Sequence, residues 1–431
     1  MAENCTLKKE LTEKILSQKG EPIAILGNGI SAQGLQKLFQ KLALKSIIYD
    51  QNAEKGEAFT EKNVKNHGIV IRSPSFLSNH PWVILARRNR LLCLSELDFA
   101  SLWCNAPIVA ITGTNGKTTI TTFLTEIFNR RGIRAFQAGN IGRPLAELVA
   151  AEALQSDDLI FCETSSFQAE SSQFIRFAHL IWSNFAPNHL NMHGTMREYF
   201  LGKYHLLTRL NECSRIFWGR SVASWARRFQ LPIPEKTSIV MAKCDTKGTA
   251  FEDYPQWENF ALIKKFCSLY NIPAEMVLTG AKNFQKPKYR LENMGTIQGN
   301  TYWNDSKCTN FAALDGALKN FPREKVVWIG GGQSKGENLK NIIPILKGKI
   351  EIALLIGETG IALADWLQKY GMNAIYEEYI ENAVGEIKNA CFFGKNIVFS
   401  PAFSSFDQFP NYVERGKFFE KCIFDLKFLR R

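Results

Sequence analysis

The 431-residue chain contains ten cysteines but no Cys-x-x-Cys pair, and it is too long to need a disulfide framework, so the thiols read as reduced. No stretch approaches the roughly 18 apolar residues of a spanning helix, which excludes stable insertion in a membrane by that route. The opening, MAENCTLKKELTEK, lacks the uninterrupted apolar region of a secretory signal, and the expectation is a cytoplasmic protein. Lys/Arg clusters interleaved with aromatics are missing too, which argues against a nucleic-acid groove. Neither internal repeats nor low-complexity tracts interrupt the chain.

What is present is an ordinary globular composition, 45% hydrophobic and 22% charged. At roughly 150 residues per domain the length suggests about three domains. A formal net charge of +12 suits attraction to anions, whether nucleotides, nucleic acid or an acidic membrane surface, and equally fits a Lys-rich proteome.

After a predicted first helix, an apolar strand at Pro22 to Leu26 runs into a glycine turn with Gly27, Gly29 and Gly34. A second strand, Ser46 to Tyr49, ends on Asp50. Strand, glycine turn, helix, strand and acid resemble a dinucleotide fold, but the third glycine comes five residues after the second, so a plain tight βα turn remains open. A strand at Ala106 to Thr112 opens a second unit, with further strands at Leu159 to Cys162 and Leu180 to Trp182. The segment Gln285-Lys286-Pro287-Lys288 breaks the periodicity before a fresh series of βα units, with buried strands at Val326 to Ile329, Ile352 to Ile356 and Ile397 to Phe399. Alternation of strands and helices predicts an α/β chain with parallel sheets, divided at 1–104, 105–286 and 287–431.

The strongest local signal is a buried strand entering Thr112-Gly113-Thr114-Asn115-Gly116-Lys117-Thr118-Thr119 and then a helix. Backbone N–H groups there would face a polyphosphate, with Lys117 against the β- and γ-phosphates and the Thr118 hydroxyl on Mg²⁺. A strict Walker pattern would need glycine at 111, where the chain has Ile111. This variant loop resembles that of the Mur ligases and their folylpolyglutamate synthase relatives. The resemblance extends over three domains: a Rossmann-like N-terminal domain, a central P-loop ATPase-type domain and a Rossmann-like C-terminal domain. It implies ATP, two Mg²⁺ ions with Mn²⁺ as an alternative, and an amide-bond-forming reaction that releases ADP.

Strand Leu159 to Cys162 delivers Glu163 to its C-terminal end, within reach of a cation at the phosphate loop. Taken alone, a glutamate there would be solvated. The run Glu163 to Gln168 resembles an E-x-S-S-F-Q element of the family's D-glutamate-adding members. Asn188-His189-Leu190-Asn191-Met192-His193-Gly194 and Tyr199 to Lys203 are similar to the family's D-H-L-D-x-H and Y-x-x-x-K pair. The resemblance implies a second metal ion at His189 and a carbamylated Lys203, which by itself reads as a surface lysine. A carbamate oxygen is a suitable hard ligand. Asn188 and Asn191 replace the usual aspartates and remove two negative charges, and His193 reads as structural or functional. Asn259, the adenine-contact candidate, follows a stretch from Asn211 to Pro255 where the resemblance is thin.

Lys288 to Glu292 resembles H-R-x-E with tyrosine for histidine, and it implies that Arg290 meets phosphate charge, for which a planar guanidinium is suited. Trp303 to Asn310 resembles N-D-S-K-A-T-N and implies Asp305 on the ribose, Lys307 near the phosphates and Thr309 at the incoming amino acid. Gly330 to Gly336 lacks a hydroxyl after Lys335, so a carboxylate-binding turn is the better reading than a second phosphate loop. The run Ser400 to Gly416 resembles the D-glutamate-adding members, implying Ser405 on the side-chain carboxylate and Tyr412 in its pocket. Gly139-Asn140-Ile141-Gly142-Arg143-Pro144 implies that Asn140 meets a muramoyl group, and Asp50, Gln51, Ser73 and Pro74 fall where uridine diphosphate would bind. The expected partners are therefore ATP, D-glutamate and UDP-N-acetylmuramoyl-L-alanine, bound by a monomer. A family enzyme for another amino acid, and a nonenzymatic nucleotide-binding or basic interaction protein, are the rival readings.

Overall fold

The computed structural model describes residues 2–18, 20–140, 142–240, 244–253, 255–390 and 392–428. Three sheets follow one another along the chain, and each is predominantly parallel. The first comprises β1 (Ile23–Leu26), β2 (Ser46–Tyr49), β3 (Ile69–Arg72) and β4 (Leu92–Ser95), in the order β2-β1-β3-β4. The second comprises β5 (Ile108–Thr112), β6 (Ala135–Gly139), β7 (Leu159–Glu163), β8 (Phe177–Trp182), β9 (Leu210–Gly219) and β10 (Thr237–Val240), in the order β10-β9-β8-β5-β7-β6. In the third, β11 (Glu292–Ile297), β12 (Asn300–Asn304), β13 (Val326–Gly331), β14 (Ile350–Ile356), β15 (Ala374–Glu378) and β16 (Asn396–Ala402) are arranged β11-β12-β16-β13-β14-β15. Only the edge pair β11 and β12 is antiparallel there.

Parallel strands must be covered on both faces, and their sequences show it. All five residues of β5 (IVAIT) and of β7 (LIFCE) are buried. The third sheet separates two apolar layers. One surrounds Trp328, Leu355 and Val398; the other surrounds Ile329, Leu354 and Phe399. Burying one such Leu, Ile or Val side chain contributes about 1.5–3 kcal/mol.

The chain divides into two compact units. One contains 1–185, 197–244 and 258–282, and with them the first two sheets. The other contains 186–196, 245–257 and 283–431, with the third. Within the first unit, helix Ile30–Leu42 packs on helix Leu145–Ala151 through Gly34, where an added Cβ would stand 3.0 Å from the Pro144 Cβ and 3.2 Å from the Glu147 nitrogen. The late third glycine of the first turn is thus a packing glycine. Among the described residues no helix is long and apolar enough to cross a membrane, and the eight cysteines whose side chains are described are free.

Candidate active site

β5 is the central strand of its sheet, between β7 and β8, and its loop opens at the carboxyl edge where α/β sheets bind ligands. Gly113 and Gly116 adopt positive φ, 149° and 85°. At Gly113 a Cβ would stand 2.0 Å from the Ser183 hydroxyl, so only glycine fits. Helix Lys117–Arg130 begins at Gly116 without a side-chain cap, which leaves its first N–H groups and the positive end of its dipole facing the loop. The Lys117 ammonium turns back on the Gly113 and Thr114 carbonyls at 3.0 and 3.2 Å. Thr119 lies behind the loop with its hydroxyl buried.

Two residues missed in the sequence shape this loop. Asn184, just after β8, accepts the Thr114 N–H on its carbonyl and the Asn115 N–H on its side chain, at 3.1 and 2.9 Å. Ser183 donates to the Asn115 carbonyl at 2.6 Å. The only available signal was their place at the end of a central strand. Asn259, on helix Gln256–Leu269, is buried against Gly116, whose Cβ would lie 2.6 Å from its Oδ1.

Glu163 is 1% exposed, which overturns the solvated reading of a lone strand-end acid. Its Oε2 accepts the Thr118 hydroxyl at 2.8 Å, while its Oε1 is buried without a hydrogen-bond partner. An orphaned carboxylate oxygen beside a threonine hydroxyl is a hard-cation donor set, so these residues fit Mg²⁺. In the following helix Ser165 and Gln168 form a reciprocal capping box, which accounts for two letters of the E-x-S-S-F-Q run.

Lys203 is 2% exposed, contrary to its bland reading as a surface lysine. Its Nζ donates to the Thr112 hydroxyl at 3.1 Å and to the Gly113 carbonyl at 3.2 Å, and lies 5.2 Å from the Tyr199 ring centre. Tyr199 in turn stands 3.3 Å from the Thr114 hydroxyl. Burial holds the Lys203 ammonium well below the usual lysine range, the neighbouring Lys117 adds to the effect, and Glu163 partly opposes it. The lysine nitrogen at the phosphate loop is thus less basic than an ordinary lysine.

The second unit gathers another group of expected residues. Asp305 is buried, with Oδ2 accepting the Ser400 hydroxyl at 2.8 Å and Oδ1 the Leu291 N–H at 3.1 Å; burial pushes it up to about 7. Arg290 lies between Tyr289 and Leu291, both at positive φ (64° and 50°), a strained geometry of the kind that clusters at functional sites. Lys307 places its Nζ 4.0 Å from the Tyr412 ring centre, and Lys335 donates to the Thr309 carbonyl at 2.7 Å. Ser405 is buried at the turn after β16. Arg415 was missed: fully buried, it donates to the carbonyls of Phe403, Ser404 and Ser306 and so ties the Asp305 loop to the end of β16. His189 belongs to this unit, at a left-handed φ of 54°, with its N–H on the Asn188 side chain at 3.1 Å.

At the crest of the first sheet, Asp50 accepts the N–H groups of Asn28 and Asn52 at 2.7 and 2.9 Å. Gln51 meets His80 at 3.0 Å. Ser73 has a buried, unpartnered hydroxyl facing Gly27, which is suited to a ligand at that turn. Asn140 is exposed, and its N–H donates to the Glu163 carbonyl at 2.8 Å; Ile141 of the same motif lies outside the described residues.

Residues 111–285 match the model of the Mur ligase middle domain. A UDP-N-acetylmuramoylalanine--D-glutamate ligase of Enterococcus hirae is 30% identical over 380 aligned residues, which cover 82% of each chain. Another, of Thermoanaerobacter pseudethanolicus, is 29% identical over 457 aligned positions, covering 95% of this chain and 99% of its own. In fold, the chain is similar to the MurF ligase of Thermotoga maritima in complex with ADP, with a TM-score of 0.59 at 13% identity over 90% and 92% of the two chains.

Proposed function

The chain belongs to the Mur ligase family, and from that premise we propose that the phosphate loop, Glu163 and Lys203 form the phosphoryl-transfer site of a D-glutamate-adding enzyme. The protein is an ATP-dependent, amide-bond-forming ligase that adds D-glutamate to UDP-N-acetylmuramoyl-L-alanine in peptidoglycan precursor synthesis. The observation that carries the site assignment is the pair of buried residues Glu163 and Lys203, with the half-buried Thr118 on Glu163, at an uncapped helix N-terminus.

The reaction begins when the alanyl carboxylate attacks the γ-phosphorus of ATP and ADP leaves, giving an acyl phosphate. The amine of D-glutamate then attacks the acyl carbon, an amide bond forms, phosphate departs and the amine loses a proton. Two anions meet in the first step, so positive charge must be supplied where negative charge accumulates. Lys117 and the N–H groups at the start of helix Lys117–Arg130 provide it at the β- and γ-phosphates. Bound Mg²⁺ would neutralise phosphate charge there, held by Thr118, Glu163 and the carbamate of Lys203; by family resemblance His189 serves a second metal ion. The depressed basicity of Lys203 favours that modification, because only the unprotonated amine adds to CO₂: a C–N bond forms, a proton leaves nitrogen, and the side chain ends as an anion.

By family resemblance Asn259, Arg290, Asp305 and Lys307 serve the nucleotide, and Thr309, Lys335, Ser405 and Tyr412 the D-glutamate carboxylates. Asp50, Gln51, Ser73 and Asn140 serve the sugar nucleotide. We assign domains to 1–104, 105–286 and 287–431, supported by the three successive sheets. The test is ATP-dependent phosphate release with UDP-N-acetylmuramoyl-L-alanine and each of D-glutamate, L-glutamate, D-alanine, L-lysine or no amino acid. Release only with D-glutamate, and a product of the expected mass, is the expected result. Release with another amino acid overturns the specificity.

A further inference from the structure

Helix Leu145–Ala151 starts without a cap of its own. Its N-cap is Pro144, which has no side-chain acceptor and so makes no cap hydrogen bond. The helix is capped instead from far away in sequence. Glu96 lies on helix Glu96–Leu102, immediately after β4, and its Oε1 accepts the Ala146 N–H at 2.6 Å. The Leu145 N–H also lies close enough to favour the charged form of Glu96.

A carboxylate at a helix N-terminus interacts favourably with the dipole, but this one is 3% exposed and has the Asp98 carboxylate nearby. Burial pushes Glu96 up to about 7, a poor environment for an acid with no chemical task. Asp98 has separate work, accepting the N–H groups of Gln173, Phe174 and Ile175. What Glu96 supports is the loop carried by the capped helix. That loop closes with the Gly139 N–H on the Arg143 carbonyl at 2.9 Å, and the Asn140 N–H donates to the Glu163 carbonyl at 2.8 Å. Asn140 is therefore held between the backbone of the phosphate-site acid and a helix that Glu96 anchors. The outer side of the helix is fastened to helix Ile30–Leu42, where Lys37 meets Glu147 at 2.7 Å and Lys41 meets the Val149 carbonyl at 2.8 Å.

We propose that Glu96 is a positioning residue for the acceptor: by capping the helix that Pro144 cannot cap, it sets Asn140 where the sugar nucleotide is read. This rests on the assignment of Asn140 to the muramoyl group.

The test is steady-state kinetics of the full chain, varying ATP and UDP-N-acetylmuramoyl-L-alanine separately, for wild type, N140A, E96A, E96Q and E96D. ADP binding by calorimetry reports whether each variant keeps the nucleotide site. The expected result for E96A is an acceptor KM raised on the order of tenfold, the size of a lost cap, with the ATP KM within about twofold of wild type. E96Q retains an oxygen acceptor and recovers most of the loss. E96D withdraws the carboxylate by one methylene and gives an intermediate KM, which also answers the question if E96A does not fold. An unchanged acceptor KM in E96A and E96D beside a raised one in N140A overturns the proposal and leaves the Asn140 assignment standing. An unchanged KM in N140A removes that assignment, and the proposal with it. Equal losses toward both substrates without rescue by E96Q would reduce Glu96 to a purely structural role.

Discussion

The backbone N–H of Asn191 donates to the carbonyl of Lys335 at 3.1 Å, so the segment bearing His189 rests on the turn assigned to the amino-acid carboxylate. Gly336 makes the seat: its φ is +81°, and a Cβ there would lie 3.2 Å from the Asn191 Cβ. Gly336→Ala combines backbone strain of about 1–3 kcal/mol with this contact. We expect a D-glutamate KM raised about tenfold or more, measured by phosphate release, and a lowered melting temperature.

Lys203 carries a carbamate under this reading. Wild-type protein equilibrated with ¹³C-bicarbonate should give a carbamate carbon signal by NMR that is missing from Lys203→Ala. Activity should fall when CO₂ is stripped from the buffer and return when bicarbonate is added. A Lys203→Ala enzyme as active as wild type would remove the residue from the site.

Glu163→Gln keeps the shape of the strand end and removes its charge. We expect kcat to fall by about 10²–10³ fold, the size of losing one electrostatic contact in a transition state. The Mg²⁺ concentration for half-maximal rate should rise, read from a metal titration of phosphate release.

Asn188 is buried and its Oδ1 accepts the His189 N–H, a role an aspartate would also fill. Asn188→Asp and Asn191→Asp should each lower the Mg²⁺ concentration for half-maximal activity, because each adds a negative charge beside the histidine. The same metal titration checks it, and a rise instead would mean that the neutral amides suit this site.

Glu96 gives the fold a pH signature. Its folded-state pKa, about 7, lies above the ordinary 4.5, so between those values the native state binds more protons than the unfolded chain. Stability should therefore fall as pH rises through that window, by an amount on the order of a few kcal/mol at about 1.4 kcal/mol per pKa unit. E96Q should lack that contribution, so its melting temperature relative to wild type should rise from pH 5 to pH 8.

The strand–loop–helix carrying Lys117 and Thr118, and the strand ending at Glu163, were legible because every residue involved is contiguous: local periodicity marks a buried strand, and glycines mark the turn. The strands at Ser46–Tyr49 and Leu159–Glu163 begin where the pattern of apolar residues puts them. Longer strands were seen only in part; β9 and β10 fall where family resemblance is thin.

Burial was settled by tertiary structure alone. Composition treats Lys203 as solvated, and only packing against Thr112, Gly113 and Tyr199 removes it from water and lowers its basicity. Asn184 reaches the phosphate loop from the next strand over, Arg415 gathers carbonyls from two distant segments, and Glu96 caps a helix whose own sequence supplies only Pro144. The chemistry of the phosphate loop was thus written locally, whereas desolvation and long-range hydrogen bonding depend on which distant residues the fold brings into contact.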